Sequence, residues 1–258
     1  KVIIRKQMSK MTDRISTSVA AEQARKHYEK EQHNKLPSII VSLVSEGKIY
    51  PKDHPLREGK IEMRYMTAYD EDILTNISYI KEGVMLDRLI ESISLTKFDI
   101  AEMSTFDKDS LIISARILSY GSEYPVIIED PKTKKNIEQN IDLSKIQPKL
   151  FNLISDENGE FEYTAGDNKL KFTYNVDNVD DITPSQFCNK VITEVDGSRT
   201  KESIEQFVRY RFMAIDAKKF RLHYVDNAPG LDMTAEFESE QGGTFRAGFS
   251  IRSDFFWF

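Results

Sequence analysis

The sequence predicts an α+β fold: a helical N-terminal unit with short strands, then β-hairpins, then a second helical pair. Three observations predict it. Leu86, Leu89, Ile90 and Ile93 recur at i, i+3, i+4 and i+7, the spacing of one apolar helix face. Phe161, Tyr163 and Ala165 alternate with polar residues, Gly166-Asp167-Asn168 turns the chain, and Leu170, Phe172, Tyr174 and Val176 alternate again, the signature of a hairpin. Met233, Ala235 and Phe237, then Gly242-Gly243, then Phe245, Ala247, Phe249 and Ile251 form a second such pattern.

Residues 1–35 read as a basic helical arm. They hold nine Lys/Arg against four Asp/Glu, a net of +5, while the rest of the chain carries −11. Ser16-Thr17-Ser18 can cap a helix through AAEQARKHYEKEQ, whose residues favour helix. Its apolar stripe, Val19, Ala20, Ala24 and Tyr28, is too thin to hold it by burial, so the arm is expected to order on a partner. A basic arm on an acidic body argues against generic nucleic-acid binding by the body and lets the arm dock on an acidic surface.

Residues 36–123 read as a mostly helical domain with a β entry. SIIVSLVS after Pro37 suits a buried strand. Gly47 to Asn76 then runs loop, strand, helix start. Pro51, Pro55 and Gly59 favour loop, and Lys60 to Tyr65 alternates, with Ile61, Met63 and Tyr65 inward and Lys60, Glu62 and Arg64 outward. Thr67 ahead of Asp70-Glu71-Asp72 places acid in a first helical turn, where free N–H groups and the helix dipole favour it. Gly83 precedes the amphipathic helix. Asp107 caps the next, whose Leu111-Ile112-Ile113, Ile117 and Leu118 spread over more than one face and so predict a central position, stopped by Gly121.

Residues 124–147 form a hairpin about Asp130-Pro131-Lys132-Thr133, and residues 148–258 an α+β C-terminal domain ending in an aromatic strand. Between its hairpins Pro184 opens one helix. Ile204, Phe207, Val208, Phe212 and Ile215 make the stripe of another, capped by Ser198 or Thr200. The chain shows no internal repeat.

The stretch from Leu36 onward resembles the T-even-type bacteriophage baseplate hub assembly family. Leu36-Pro37-Ser38, Tyr50-Pro51, Gly59, Ile61-Glu62-x-Arg64, Met66-Thr67-Ala68 and Glu71-Asp72-x-Leu74 carry the likeness, and Phe255-Phe256-Trp257 resembles the family's ending. The resemblance implies a tail-assembly role with no chemistry. It also implies a zinc-ribbon-like hairpin with a Cys-Pro-x-Cys knuckle. Asp130-Pro131-Lys132-Thr133 keeps the proline but has no thiolate, so the hairpin is expected to be metal-free.

No catalytic motif competes with that reading. Asp70-Glu71-Asp72 and Asp180-Asp181 are the only candidates for Mg²⁺-dependent nuclease chemistry, and adjacent helical carboxylates point in different directions. His27, His33, His54 and His223 lack ligand spacing, and the glycines make neither a P-loop nor a dinucleotide fingerprint. Cys188 is the only cysteine, which excludes an internal disulfide, fits a reducing compartment and reads as a buried small hydrophobe. No apolar run is long enough for a membrane helix, and no secretory signal pattern is present. The chain begins at Lys1 and not Met, so its natural start is expected upstream.

No catalytic, cofactor or metal residue is therefore expected. Partner contact is assigned to Phe255, Phe256, Trp257 and Phe258 at the end, and to Arg25, Lys26 and Tyr28 on the arm. Four consecutive aromatics cannot all face one core from a single strand, so at least two are expected to pack inward and the others to meet a partner. The function expected is a non-enzymatic component or assembly factor of the baseplate hub, docking on hub or tape-measure proteins in the host cytoplasm or the virion tail. A transient assembly chaperone and a Mg²⁺-dependent nuclease are the alternatives.

Overall fold

The computed structural model describes residues 36–176, 182–250 and 255–256. The chain divides into two compact units, Lys1–Ile39 and Ile40–Phe258. The described residues form seven α-helices and four small antiparallel sheets, the α+β class expected.

Strands β1 (Ser38–Ser42) and β2 (Lys60–Arg64) make the first sheet. The expected buried strand through Ser45 is corrected here. It stops at Ser42 with Ile40 exposed, and Leu43 to Ser45 are buried in a turn instead. Glu46 and Gly47 take positive φ, which ends the extended run, and the Leu43 N–H is captured by the Gly59 carbonyl at 2.8 Å.

Helices α1 (Ala68–Leu74), α2 (Ile77–Glu82) and α3 (Met85–Ile93) follow. Thr67 and Asp70 share the expected N-terminal cap, Gly83 closes α2 in the left-handed region, and α3 buries Leu89, Ile90 and Ile93. The central helix is α4 (Thr105–Tyr120), with Leu111, Ile112, Ile113 and Ala115 all buried and Gly121 at its end. Its N-cap is Ser104, not Asp107. The aspartate sits three residues in and turns to another part of the chain.

Strands β3 (Glu123–Glu129) and β4 (Asn136–Asp142) pair in register from Glu123 with Asp142 to Glu129 with Asn136. Strands β5 (Phe161–Ala165) and β6 (Asn168–Phe172) form the expected hairpin. A short β7 (Ile192–Val195), unread in the sequence, adds to β6. Helix α5 (Pro184–Val191) begins at its proline behind a Thr183 cap.

The single helix expected through Ile215 is two: α6 (Lys201–Tyr210), capped by Thr200, and α7 (Ala214–Asp226). Arg211 and Phe212 both donate their N–H to the Phe207 carbonyl, and Phe212 folds back onto the Phe207 ring at 4.8 Å. That closes α6 without glycine or proline. Strands β8 (Thr234–Glu238) and β9 (Thr244–Gly248) complete the fold.

Tyr174 holds the C-terminal core together. Its ring meets Phe106 of α4, Phe151, Phe161 of β5, Phe172 of β6 and Tyr224 of α7, all within 6.3 Å. Its hydroxyl donates to the Tyr224 carbonyl at 3.0 Å, so this ring's polar atom is satisfied in the apolar cluster. Cys188 is buried, as expected.

Candidate docking surfaces and buried polar centres

Three buried aspartates organise the polar interior, and each holds separate segments together. Asp70 is the first. Alternation along β2 places Arg64 outward and Tyr65 inward, but the structure buries Arg64 and, with the strand ending there, leaves Tyr65 36% exposed. Its guanidinium grips Asp70 in two bonds, Nη1 to Oδ2 at 2.7 Å and Nη2 to Oδ1 at 2.9 Å. Arg64 also donates to the Tyr65 and Ser92 carbonyls, and Asp70 accepts from Thr67 and Ser92. Burial pushes the Asp70 carboxyl up, but the bonds from Arg64, Ser92 and Thr67 outweigh it and hold the carboxyl below its ordinary range.

Asp107 is the second. It accepts from the Ser45 N–H at 3.0 Å, the Ser45 hydroxyl at 2.7 Å and the Tyr50 hydroxyl at 2.7 Å, tying α4 to the buried turn after β1. Burial raises its carboxyl, against these hydrogen bonds. His54 stacks on Tyr50 at 5.0 Å. Its Nδ1 accepts from the Leu56 N–H, which leaves the proton on Nε2 to meet Glu102 at 3.0 Å. That is a capping role.

Asp130 is the third, at the tip of the β3–β4 hairpin. It accepts from the N–H groups of Lys132 and Thr133 and, across to the β8–β9 tip, from the Ser239 hydroxyl at 2.9 Å and the Glu240 N–H at 3.1 Å. Lys132 Nζ adds a bond to the Gly242 carbonyl, and Gln139 exchanges two with the backbone of Glu238. Two hairpin tips are thus clasped by one carboxylate. Among the described residues no group of three His, Cys, Asp or Glu side chains could hold a metal ion.

The acidic triplet 70–72 splits in three directions. Asp70 is buried, Glu71 accepts from the Tyr120 hydroxyl at 2.7 Å, and Asp72 is exposed. Asp180 and Asp181 lie outside the described residues, as do His27, His33, Arg25, Lys26, Tyr28, Trp257 and Phe258.

Phe255 and Phe256 are buried, and they lie in a turn and not in the aromatic strand expected there. Phe255 meets Tyr124 of β3 edge-on at 5.0 Å, Phe256 meets Tyr120 of α4 at 6.4 Å, and the two rings meet at 5.3 Å. Arg116 of α4 donates to the Phe255 carbonyl at 3.0 Å and to that of Gly121 at 2.9 Å. These two of the four terminal aromatics therefore pack inward.

Apolar side chains stay exposed elsewhere. Tyr69 of α1 is 68% exposed, and Ile77 and Ile80 of α2 are 68% and 53% exposed. On α7, Leu222 is 52% and Val225 64% exposed, while Phe220 and Tyr224 of the same helix are buried. Beside them opens a cleft of about 950 Å³, floored by Phe106, Ile113, Phe187, Leu231, Met233 and Phe249. Sequence reading missed this face, because α7 itself was merged into the preceding helix.

Residues 37–256 match the family model described as T4 bacteriophage base plate protein. No curated protein and no solved structure matches the chain. No helix among the described residues is long and apolar enough to cross a membrane. The likeness first carried by the motif around Arg64 and Thr67 thus extends over most of the polypeptide, and the chain belongs to the T4 bacteriophage base plate protein family, with a structural role in a phage tail baseplate.

Proposed function

We propose that this chain is a component or assembly factor of the baseplate hub and works by docking, without making or breaking a bond. Its partners on this reading are other hub proteins or the tape-measure protein, met in the host cytoplasm during tail assembly. One observation carries the docking reading. Large apolar side chains are held out on rigid helices, Tyr69, Ile77 and Ile80 on one pair and Leu222 and Val225 on α7, and exposed apolar groups on such elements suit partner surfaces. The motif residues support the same view. Arg64, Asp70 and Gly59 serve folding, and none of them lines the cleft beside α7. Trp257, Phe258 and the basic arm with Arg25, Lys26 and Tyr28 remain the proposed terminal contacts.

Mass spectrometry of purified virions tests the proposal. Stoichiometric peptides identify a retained hub component. Peptides found with tail intermediates but not with virions identify a transient assembly factor. Absence from both overturns the proposal, as does DNA turnover by the purified chain that Asp72→Asn abolishes.

A further inference from the structure

The cleft beside α7 is basic at its rim and apolar on its floor. The described body belongs to a stretch with a net charge of −11, yet the cleft is lined by Lys149, Lys218 and Arg221 against one carboxylate, Asp109. The nearby Asp232 is engaged by Arg246 at 2.6 Å and by the Thr234 hydroxyl. Lys149 and Lys218 are exposed, with Lys149 in electrostatic reach of Asp232, while Arg221 lies near the buried Cys188 thiol. The floor is apolar and aromatic, and about 950 Å³ exceeds what one inserted side chain fills.

The walls decide what shape enters. The Lys149 N–H is bonded to the Gly230 carbonyl, the Asp232 N–H to that of Gln147, and the Phe249 N–H to that of Met233. Those bonds occupy backbone groups of the described residues along the cleft's non-helical side. With the exposed Leu222 and Val225 beside an aromatic floor, the cleft suits binding by side chains, the helix-in-groove mode.

From these features we infer that the cleft receives an acidic amphipathic helix from another protein: apolar residues at i, i+3, i+4 and i+7 on the floor, with Asp or Glu along the flanks to meet Lys149, Lys218 and Arg221. Opposite charge steers the approach, and buried aromatic and aliphatic contacts supply the holding energy. The chain's own arm, at +5, has the wrong sign for this site. The inference rests on the docking role proposed above and names one of its surfaces.

The test places a photo-crosslinking phenylalanine analogue at Leu222 of the full chain in infected cells, with Ile77 on α2 as the comparison position. The expected result is a crosslink from position 222 to an Asp/Glu-rich, helix-periodic segment of another tail protein. Its yield should fall at least about tenfold in the Lys149→Glu, Lys218→Glu double variant, tenfold being roughly one pair's worth of opposed charge at a desolvated contact. Both lysines are exposed, and circular dichroism and the melting temperature verify that the variant folds. Capture of a second copy of this chain, of its residues 1–35, of nucleic acid, of lipid, or of a basic segment overturns the inference. So does a yield that the charge reversal leaves unchanged. If position 222 captures nothing while the chain still purifies with tail proteins, the cleft assignment falls and the docking role stands. If the chain associates with no tail protein, both fall.

Discussion

Arg64 and Asp70 show what a single position hides. Alternation in KIEMR puts Arg64 with Lys60 and Glu62 on the wet face, and both neighbours do face outward. Arg64 escapes the pattern because Asp70 and the Ser92 carbonyl satisfy its planar fork, and no spacing rule announces a partner six residues on across a turn. Removing one member of a buried pair leaves the other charged and alone, which costs about 3–5 kcal/mol. The Asp70 carboxyl lies below its ordinary value of 3.8 in the folded chain. A carboxyl lowered by folding adds stability at pH above its unfolded value, and that contribution disappears as pH falls through the folded value. Asp70→Asn is therefore expected to lose about 3 kcal/mol at neutral pH and to show a flatter acid limb than the parent. Urea unfolding between about pH 2 and pH 7 reads both effects. Parallel pH curves for the two proteins would show that this pair does not govern the acid limb.

Elements were legible where their signal is local. The stripe of α3, the hairpins at 130 and 166, the Thr67 cap and the proline start of α5 all rest on residues within one or two turns of each other, and each stands in the structure. The α6–α7 break was not legible, since Phe212 closes α6 by packing on Phe207 and not by a residue that breaks helices. β7 was missed because it has only four residues and is defined by its pairing with β6. Gly59 belongs to the legible group for a physical reason. Its φ is +68, and a Cβ there would stand 2.7 Å from the Glu46 carbonyl carbon and oxygen. Gly59→Ala combines left-handed strain with a backbone clash, so a loss of at least about 2 kcal/mol is expected by thermal or urea unfolding. A neutral result would mean that the Glu46–Gly47 turn moves aside freely. The clasp at Asp130 is an element-scale device as well. Asp130→Ala frees the Ser239 hydroxyl and the Glu240 N–H and unties the tips of two hairpins. Faster amide exchange at Lys132, Thr133 and Glu240 is expected, with α3 and its buried Leu89 and Ile93 unchanged.

At the scale of the molecule, contacts distant in sequence close the fold, and these are the least legible of all. The terminal aromatics were expected to pack inward in part, because neighbours on a strand face opposite ways, but nothing in the sequence says where. The structure seats Phe255 on Tyr124 and joins its carbonyl to Arg116, a residue 139 positions earlier on the central helix. Arg116 bonds the Gly121 carbonyl with the same guanidinium, so one side chain serves both the end of α4 and the end of the chain. The candidate cleft is likewise assembled from α4, α5, α7 and the segments around 149, 230 and 249, which no local window contains. If the C-terminal residues close the core and are not an appendage, removing one ring should be felt far away. Phe255→Ala is expected to cost about 3–5 kcal/mol, the usual range for deleting a buried phenylalanine. The amides of β3 around Tyr124 should lose exchange protection together with the last turn of α4, because both rest on that ring and its carbonyl. Ile77→Ala, an exposed apolar position on α2, should leave stability within about 0.5 kcal/mol of the parent. If Phe255→Ala matches Ile77→Ala in urea unfolding, the end of the chain lies on the body without closing it.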